Sequence, residues 1–215
     1  LPLNPFDDPR LAGQYDDWYS GPGRYADRCE KALLARLLAD FAGCASLLEV
    51  GCGTGHFTRW FAEQGLTATG LDISKTMLAE AARRNGVSYV LGDAQALPFP
   101  AASLDLAAMI TTLEFLPDPR AALVEAVRVT RQGLLLGVLN RWSLAAARRR
   151  RSSSTVWRAA HFFSVSELCR LVHRAAGSRL QGIRWRTTLW PLPVAASLRL
   201  PLGGFIGLAA RLNAA

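Results

Sequence analysis

Gly51, Gly53 and Gly55 stand two apart in the stretch L-L-E-V-G-C-G-T-G-H-F-T, Leu47 to Thr58. An apolar run (Leu47, Leu48, Val50) stops at the first of them, and an amphipathic helical pattern (Phe57, Trp60, Phe61) starts after the last. The spacing predicts a strand, a tight turn and a helix start. Glycine serves such a turn twice: it accepts backbone angles that a Cβ forbids, and it lets a ligand approach the N–H groups at the helix N-terminus. The chemistry implied is the binding of a nucleotide-like cofactor. The dinucleotide fingerprint G-x-G-x-x-G would place its third glycine at position 56, where His56 stands. The pattern is G-x-G-x-G, and a nicotinamide oxidoreductase is disfavoured.

Companion residues follow at useful distances. Asp72 closes the apolar segment T-A-T-G-L-D, 21 residues after Gly51, where a carboxylate can accept hydrogen bonds from both hydroxyls of a ribose. Gly92-Asp93-Ala94 follows the strand-like V-S-Y-V-L, and A-L-P-F-P-A-A-S-L-D-L runs from Ala96 to Leu106. Together with E-V-G-C-G-T-G, these stretches resemble, in order, the motifs of the class I S-adenosylmethionine-dependent methyltransferases, in particular the small-molecule and quinone-biosynthesis-like group. The resemblance covers Leu47 to about Pro119. It implies a doubly wound, Rossmann-like α/β fold: a seven-stranded sheet, mostly parallel and closed by a C-terminal antiparallel hairpin, between two helical layers.

The same resemblance implies roles. Gly51, Cys52, Gly53 and Gly55 admit the methionine portion of the cofactor, Asp72 and Ile73 take the ribose side, Asp93 and Ala94 bracket the adenine, and Thr111 and Leu113 line the pocket after the fourth strand. Glu49 orients either the loop, through its N–H groups, or the amino group of the cofactor. Cys52 reads more simply as a small packed side chain than as a reactive thiol. T-T-L-E-F-L-P-D-P, Thr111 to Pro119, is similar to the family pattern L-E-H-V-P-D-P with Phe115 in the histidine position. No Asn/Asp-Pro-Pro-Tyr tetrapeptide follows the fourth strand, which disfavours methylation of a nucleobase amine.

The elements that must hold these residues are legible from periodicity. Arg24 to Phe41 carries Tyr25, Cys29, Leu33, Leu37 and Phe41 on one stripe and predicts a helix against the sheet. Strands are expected near Ser46, up to Leu71, over Val87–Leu91, Asp105–Ile110 and Leu134–Leu139, with helices to Gln64, over Ser74–Arg84 and over Pro119–Val129. A capping box, Ser164 with Glu167, starts a helix through Ala176. Leu180–Leu189 and Gly203–Leu212 then read as the closing hairpin. One domain is expected over 1–215: a strap and helix to residue 45, a cofactor half over 46–139 and an acceptor-side cap from 140.

The N-terminal strap interleaves Asp7, Asp8, Asp16 and Asp17 with Phe6, Tyr15, Trp18 and Tyr19. Y-D-D-W-Y, Tyr15 to Tyr19, resembles the aromatic N-terminal segment that lies over the cofactor in this family, and the resemblance implies a lid; the alternative is an aromatic strap filling a surface groove. Tyr15, Tyr19, Trp142 and His161 are the acceptor-side candidates; Tyr19 and His161 are the candidate catalytic groups, and His161 reads alternatively as a histidine bonded within an aromatic cluster. The four cysteines and three histidines show no metal-ligand spacing.

The net charge of +8 hides an asymmetry: residues 1–140 hold 12 basic and 16 acidic side chains, whereas residues 141–215 hold 13 arginines and one acid, Glu167. Such a basic third either meets an anionic surface or is merely solvated. The block A-A-A-R-R-R-R-S-S-S, Ala145 to Ser154, reads as a solvated loop. Leu189 to Ala210 is apolar and long, but Pro191, Pro193, Pro201 and Arg199 argue against a membrane span; it reads as a long hairpin loop packed on the domain, or as an apolar, arginine-flanked surface touching a lipid or a lipophilic acceptor. No basic-then-apolar leader opens Leu1–Arg10, and a cytoplasmic protein is expected. The function expected is methyl transfer from S-adenosylmethionine to a small or lipophilic acceptor. The alternatives are an RNA or DNA methyltransferase gripping phosphate with the basic third, and a non-catalytic cofactor-binding partner protein.

Overall fold

A computed structural model describes residues 5–84, 86–144, 146–147, 156–157, 160–190 and 197–213. Seven strands form one sheet: β1 (Ser46–Val50), β2 (Thr67–Asp72), β3 (Ser88–Leu91), β4 (Leu104–Ile110), β5 (Thr130–Leu139), β6 (Leu180–Thr188) and β7 (Phe205–Leu212). Their order is β3-β2-β1-β4-β5-β7-β6. The first five strands pair in parallel and β7 runs antiparallel between β5 and β6, so the closing hairpin inserts its second strand next to β5. Because parallel pairs join through helical crossovers, the turns that follow β1, β2, β3, β4 and β5 all emerge at one end of the sheet. The candidate residues gather at that end.

Strand alternation sorts the core into two layers. Leu47, Leu106, Ala108, Ile110, Leu135 and Phe205 pack with Leu33, Leu34 and Leu37 of helix α3 (Arg24–Leu38) and Phe57 and Phe61 of α4 (His56–Glu63). Leu48, Ala107, Met109, Leu134, Leu136 and Leu208 pack with Leu123 and Ala126 of α6 (Pro119–Val129) and Leu168 and Val172 of α7 (Val165–Ala176). Helix starts follow the capping chemistry of the sequence. Ser74 accepts from the Met77 N–H to open α5 (Lys75–Ala82), Asp118 accepts from the N–H groups of Arg120 and Ala121 ahead of α6, and the Ser164–Glu167 box opens α7.

One expectation is corrected. Strand five begins four residues earlier than Leu134, at Thr130, because the chain leaves α6 directly into the sheet with Thr130 Oγ1 donating to the Ala126 carbonyl (2.8 Å). The N-terminal strap, which carries no helical periodicity, forms short helical pieces: a 3-10 turn at Pro5–Asp7, α1 (Pro9–Gln14, capped by Asp8) and α2 (Asp17–Ser20). Its short-range caps, rather than an apolar stripe, set this structure. The arginine block at 148–151, the serines after it, and residues 158–159 and 191–196 lie outside the described residues.

Asp105 ties the other end of the sheet together. Its carboxylate accepts from the Ala45 and Ser46 N–H groups (3.0 Å each), the Ser46 hydroxyl (3.0 Å) and Arg131 Nη2 (2.8 Å) and Nε (3.1 Å). Burial opposes ionisation, but those donors win and hold the carboxyl well below the usual carboxylate range. A folded-state value depressed in this way gives stability that is present above the unfolded pKa, about 4, and lost as pH falls through the folded one. Asp105→Ala is expected to destabilise the protein by about 3 kcal/mol, read from urea midpoints near neutral pH. A midpoint equal to wild type would show that the five bonds contribute nothing net.

Candidate active site

The glycine turn leaves β1 with left-handed backbone at Gly51, Gly53 and Gly55 (φ +74°, +52° and +74°). A side chain at Gly51 would strike the Thr112 methyl, with a Cβ 2.2 Å from it, so this glycine is required by packing against the turn after β4. Gly53 differs: a Cβ there would meet nothing within 4 Å. The backbone at Gly53 borders open space, which is what a ligand-cradling turn requires.

Two buried carboxyls flank this turn. Asp72, at the end of β2, accepts from the Gly53 N–H (2.7 Å) and the Ser74 N–H (2.9 Å). Burial raises its pKa against the pull of those donors. Glu49, on β1, is 2% exposed and accepts the Thr58 hydroxyl hydrogen. Burial pushes its carboxyl up to about 8, with the nearby Asp72 adding to the shift and the Thr58 bond opposing it. Its resolved bond is to α4, so in this state Glu49 braces the helix that follows the loop. Cys52 is buried, and burial drives its thiol far from ionisation, as a packed side chain requires.

Across the adjacent strand end, the Gly92 N–H donates to the Asp72 carbonyl (3.0 Å) and Asp93 Oδ1 accepts from the Gln95 N–H (2.8 Å). This tight turn leaves Ala94 buried and Ile73 60% exposed. An apolar side chain held at a polar cleft in this way offers a face for a planar ring. Thr111 adopts φ +54°, a strained position for a threonine, and is fixed by its N–H to the Gly137 carbonyl (2.7 Å). Leu113 is fully buried beneath it.

The strap folds onto this turn. Asp16 accepts the Thr54 hydroxyl hydrogen within the glycine loop and pairs with Arg59 of α4 (3.2 Å) and Arg84 after α5. The Ser74 hydroxyl donates to the Phe6 carbonyl (3.0 Å). Tyr19 stacks on His56 at 3.6 Å with rings 8° from parallel, and His56 Nε2 meets Asp27 at 2.7 Å. An aromatic row continues through Tyr15, Phe6, Phe115 and Trp157, with successive centroids 6.4, 5.1 and 6.3 Å apart.

Residues 48–136 match the sequence profile described as a methyltransferase domain. A Serratia marcescens malonyl-[acyl-carrier protein] O-methyltransferase is 41% identical over 101 residues, covering 46% of this chain and 38% of that protein. An uncharacterized Mycobacterium tuberculosis protein is 34% identical over 190 residues, 86% of this chain and 63% of the relative. The crystal structure of a Thermotoga maritima S-adenosylmethionine-dependent methyltransferase, described as a possible histamine N-methyltransferase, superposes with a TM-score of 0.79 at 27% identity, covering 94% of this chain and 96% of that one. Residues 48–136 thus carry a methyltransferase-domain profile, and the chain has the class I S-adenosylmethionine-dependent methyltransferase fold. Its match spans less than half the length of the malonyl-carrier relative.

Within this methyltransferase fold the acceptor-side candidates separate. Tyr19 stacks on His56 just after the glycine turn, and Tyr15 packs edge-on against Tyr19 with centroids 6.1 Å apart. Burial pushes Tyr15 up to about 12, with Asp72, Glu114 and Glu30 adding to it, and raises Tyr19 well above its ordinary value. A phenol held this firmly protonated donates a hydrogen bond and does not act as a base. His161 lies elsewhere. Its backbone N–H reaches the Glu114 carbonyl (2.8 Å), but its ring bonds Glu167 (2.8 Å) and packs edge-on against Phe163. The ring faces a groove of about 670 Å³ whose lining, including Leu116, Pro119, Arg170 and Arg174, takes nothing from the glycine turn. The bonded-histidine alternative describes its surroundings. Trp142 is 64% exposed, and its backbone N–H is anchored to the Asn140 side chain.

Several residues of this site had no sequence signal of their own. Asp16 and Thr54 meet across 38 positions, and Thr112 Oγ1 lies within bonding distance of the Val50, Gly51 and Ile110 carbonyls. Only the acid inside Y-D-D-W-Y hinted at the first pair. Among the described residues, no group of three or more His, Cys, Asp or Glu side chains is placed to hold a metal ion.

Glu49 makes the site pH-sensitive. Its folded-state pKa, about 8, lies above the unfolded value, so the folded protein holds this proton more tightly. The contribution is full below about pH 4.3 and is lost as pH rises through 8. Glu49→Gln is expected to flatten the fall in urea stability between about pH 5 and pH 9, a fall of up to about 4 kcal/mol in the wild type. Parallel curves for the two proteins would place the proton on another group.

Proposed function

We propose that this protein transfers the methyl group of S-adenosylmethionine to a small, apolar or aromatic acceptor. The observation that supports it most is the open backbone at Gly53 between the carboxyls of Glu49 and Asp72, a cradle that fits a cationic nucleoside-like molecule. Bound S-adenosylmethionine supplies a methyl group already activated on a sulfonium centre.

The work left to the chain is binding, alignment and exclusion of water, and alignment alone can be worth about 7–11 kcal/mol. Gly51, Gly53 and Gly55 keep the loop close to the methionine portion. Asp72 retains lone pairs for the ribose hydroxyls while holding Gly53 in place. Ile73 lies against the ribose side, Asp93 and Ala94 bound the adenine, and Thr111 and Leu113 close the cleft beneath. Glu49, protonated near neutral pH in the free protein, becomes a counter-charge when a cation enters beside it. Tyr15 and Tyr19 orient the acceptor by donating hydrogen bonds, and the strap carrying them excludes water.

Two observations favour a small lipophilic acceptor over a nucleic acid. Tyr15, Phe6, Phe115 and Trp157 form a row of rings, and the charges that raise the Tyr15 pKa beyond burial are those of acids, Asp72, Glu114 and Glu30. A polyphosphate strand requires the opposite sign. The relatives' names differ in the acceptor atom, oxygen in one and nitrogen in the other, so the rings of this chain carry the assignment of acceptor class.

Calorimetric titration tests the cofactor step. S-adenosylmethionine and S-adenosylhomocysteine are expected to bind and NAD not to, with Asp72→Ala weakening both adenosyl ligands by about tenfold or more. Heat from NAD alone, or from none of the three, would remove the reading.

A further inference from the structure

Ten large apolar side chains are exposed among the described residues, and five of them fall in two segments: Trp142 and Leu144 after β5, and Leu198, Leu200 and Leu202 before β7. Buried Asn140 joins the two. Its side-chain amide donates to the Pro201 carbonyl (2.8 Å) and the Gly203 carbonyl (2.7 Å), and its Oδ1 accepts from the Trp142 N–H (3.1 Å). The leucine segment is also held from inside. The Thr187 N–H reaches the Leu198 carbonyl (2.8 Å), the Leu198 N–H reaches the Thr187 carbonyl (3.0 Å), and the Leu200 carbonyl accepts the Thr187 hydroxyl hydrogen. These polar backbone groups therefore turn toward the protein, while three leucines two apart turn toward solvent. Covering those leucines would strand none of the backbone groups just described.

The same strip is strongly basic. Arg199 stands between Leu198 and Leu200 with its guanidinium 5.9 Å from the Trp185 ring centroid, and Arg186 Nη1 donates to the Ser197 carbonyl (2.7 Å). Arg36 of α3 and Arg184 of β6 lie near enough to Arg186 that, after burial, they and Arg199 are what lower its pKa. Asp40 pairs with Arg184. The remaining positive charges, Arg36, Arg186 and Arg199, repel one another around the edge strand β6, a repulsion that an anionic surface relieves. A ridge of leucines threaded with guanidinium groups matches a headgroup layer: apolar tips enter the acyl boundary while the cations meet phosphate.

We propose that this face, the outer edge of β6 with residues 197–202 and the Trp142–Leu144 turn, docks on an anionic phospholipid bilayer. It lies at the end of the sheet where β5 finishes, the same end as the glycine turn, so a docked protein holds its cleft close to the membrane. The docking stands apart from the cofactor reading, since the two use different residues.

Vesicle flotation tests it with the full chain. The protein is expected to float with vesicles of phosphatidylcholine mixed with phosphatidylglycerol, to stay behind with phosphatidylcholine alone, and to dissociate as salt is raised. The triple change Leu198→Ser, Leu200→Ser, Leu202→Ser is expected to weaken binding by about tenfold or more. Arg199→Glu is expected to weaken it by about fivefold or more. Thermal melting and S-adenosylmethionine titration of the variants, expected to match wild type, show that fold and cleft survive. The assignment is overturned if wild type ignores both vesicle types or if the triple variant floats like wild type. Binding to soluble polyglutamate that is as strong as binding to vesicles, and indifferent to the leucines, would assign the face to an acidic polypeptide instead.

Discussion

The Asp72 carboxylate joins the turns that follow two paired strands, β1 and β2, and adds to the bonds that the Gly51 and Cys52 N–H groups make to the Leu71 carbonyl. One oxygen holds the Gly53 N–H and the other holds the Ser74 N–H, so the loop after β1 and the start of α5 share one anchor. The bond from Gly53 fixes a glycine whose φ of +52° and open flank leave it few contacts of its own. Burying this carboxyl beside that of Glu49 is costly, and both pKa values rise as a result. Such a pair is tolerated where a cation is expected to arrive, because its charge removes the repulsion and restores ionisation. The strain is thus placed in the free state of the cleft.

A second anchor holds the strap. Asp16 belongs to a strap with few buried side chains, yet its carboxylate contacts Thr54 in the glycine loop, Arg59 on α4 and Arg84 beyond α5. The strap therefore has no core of its own and depends on charge and aromatic stacking, including Tyr19 on His56. Interactions of this kind open at lower free energy than buried apolar contacts do. A cover held by polar contacts around a rigid sheet can release a ligand without disturbing the strands that position Asp72 and Glu49.

The strands and most helices were legible because period-two and period-3.6 patterns alternate with turn residues from Ser46 to Leu139, and because Ser74, Asp118 and Ser164 carry their capping chemistry in the sequence. The glycine turn and Asp72 were legible for the same reason: their spacing follows from a local strand-turn-helix. The early start of β5 was not, since Thr130 to Gly133 offers no apolar alternation and is drawn into the sheet by its neighbours β4 and β7. Nor was the partner of His161. A histidine six residues before an acid has no visible reason to bond it until a loop and a capping box bring Glu167 back to face it. Contacts across long separations, such as Asp16 with Thr54, leave no periodic trace at all.

Among the described residues, the arginines of the basic final third do not form one uniform charged face. Arg179 points its guanidinium at the Val127, Thr130 and Asn213 carbonyls and fastens the end of β7 to α6. Arg141 reaches the Phe162 carbonyl and pairs with Glu167, the one acid of that third, which also caps α7. These arginines replace backbone donors where the chain turns irregularly, and their charge is incidental to a surface role. Arg184, Arg186 and Arg199 differ in kind, because they gather on the sheet's edge beside exposed leucines. An edge strand left uncovered invites pairing with another chain, and clustered arginine is one way to prevent it. That protective role explains charge on β6 itself. It does not explain Arg199, which stands off the strand between two outward leucines, and it is this residue that separates an edge merely guarded from an edge that meets something.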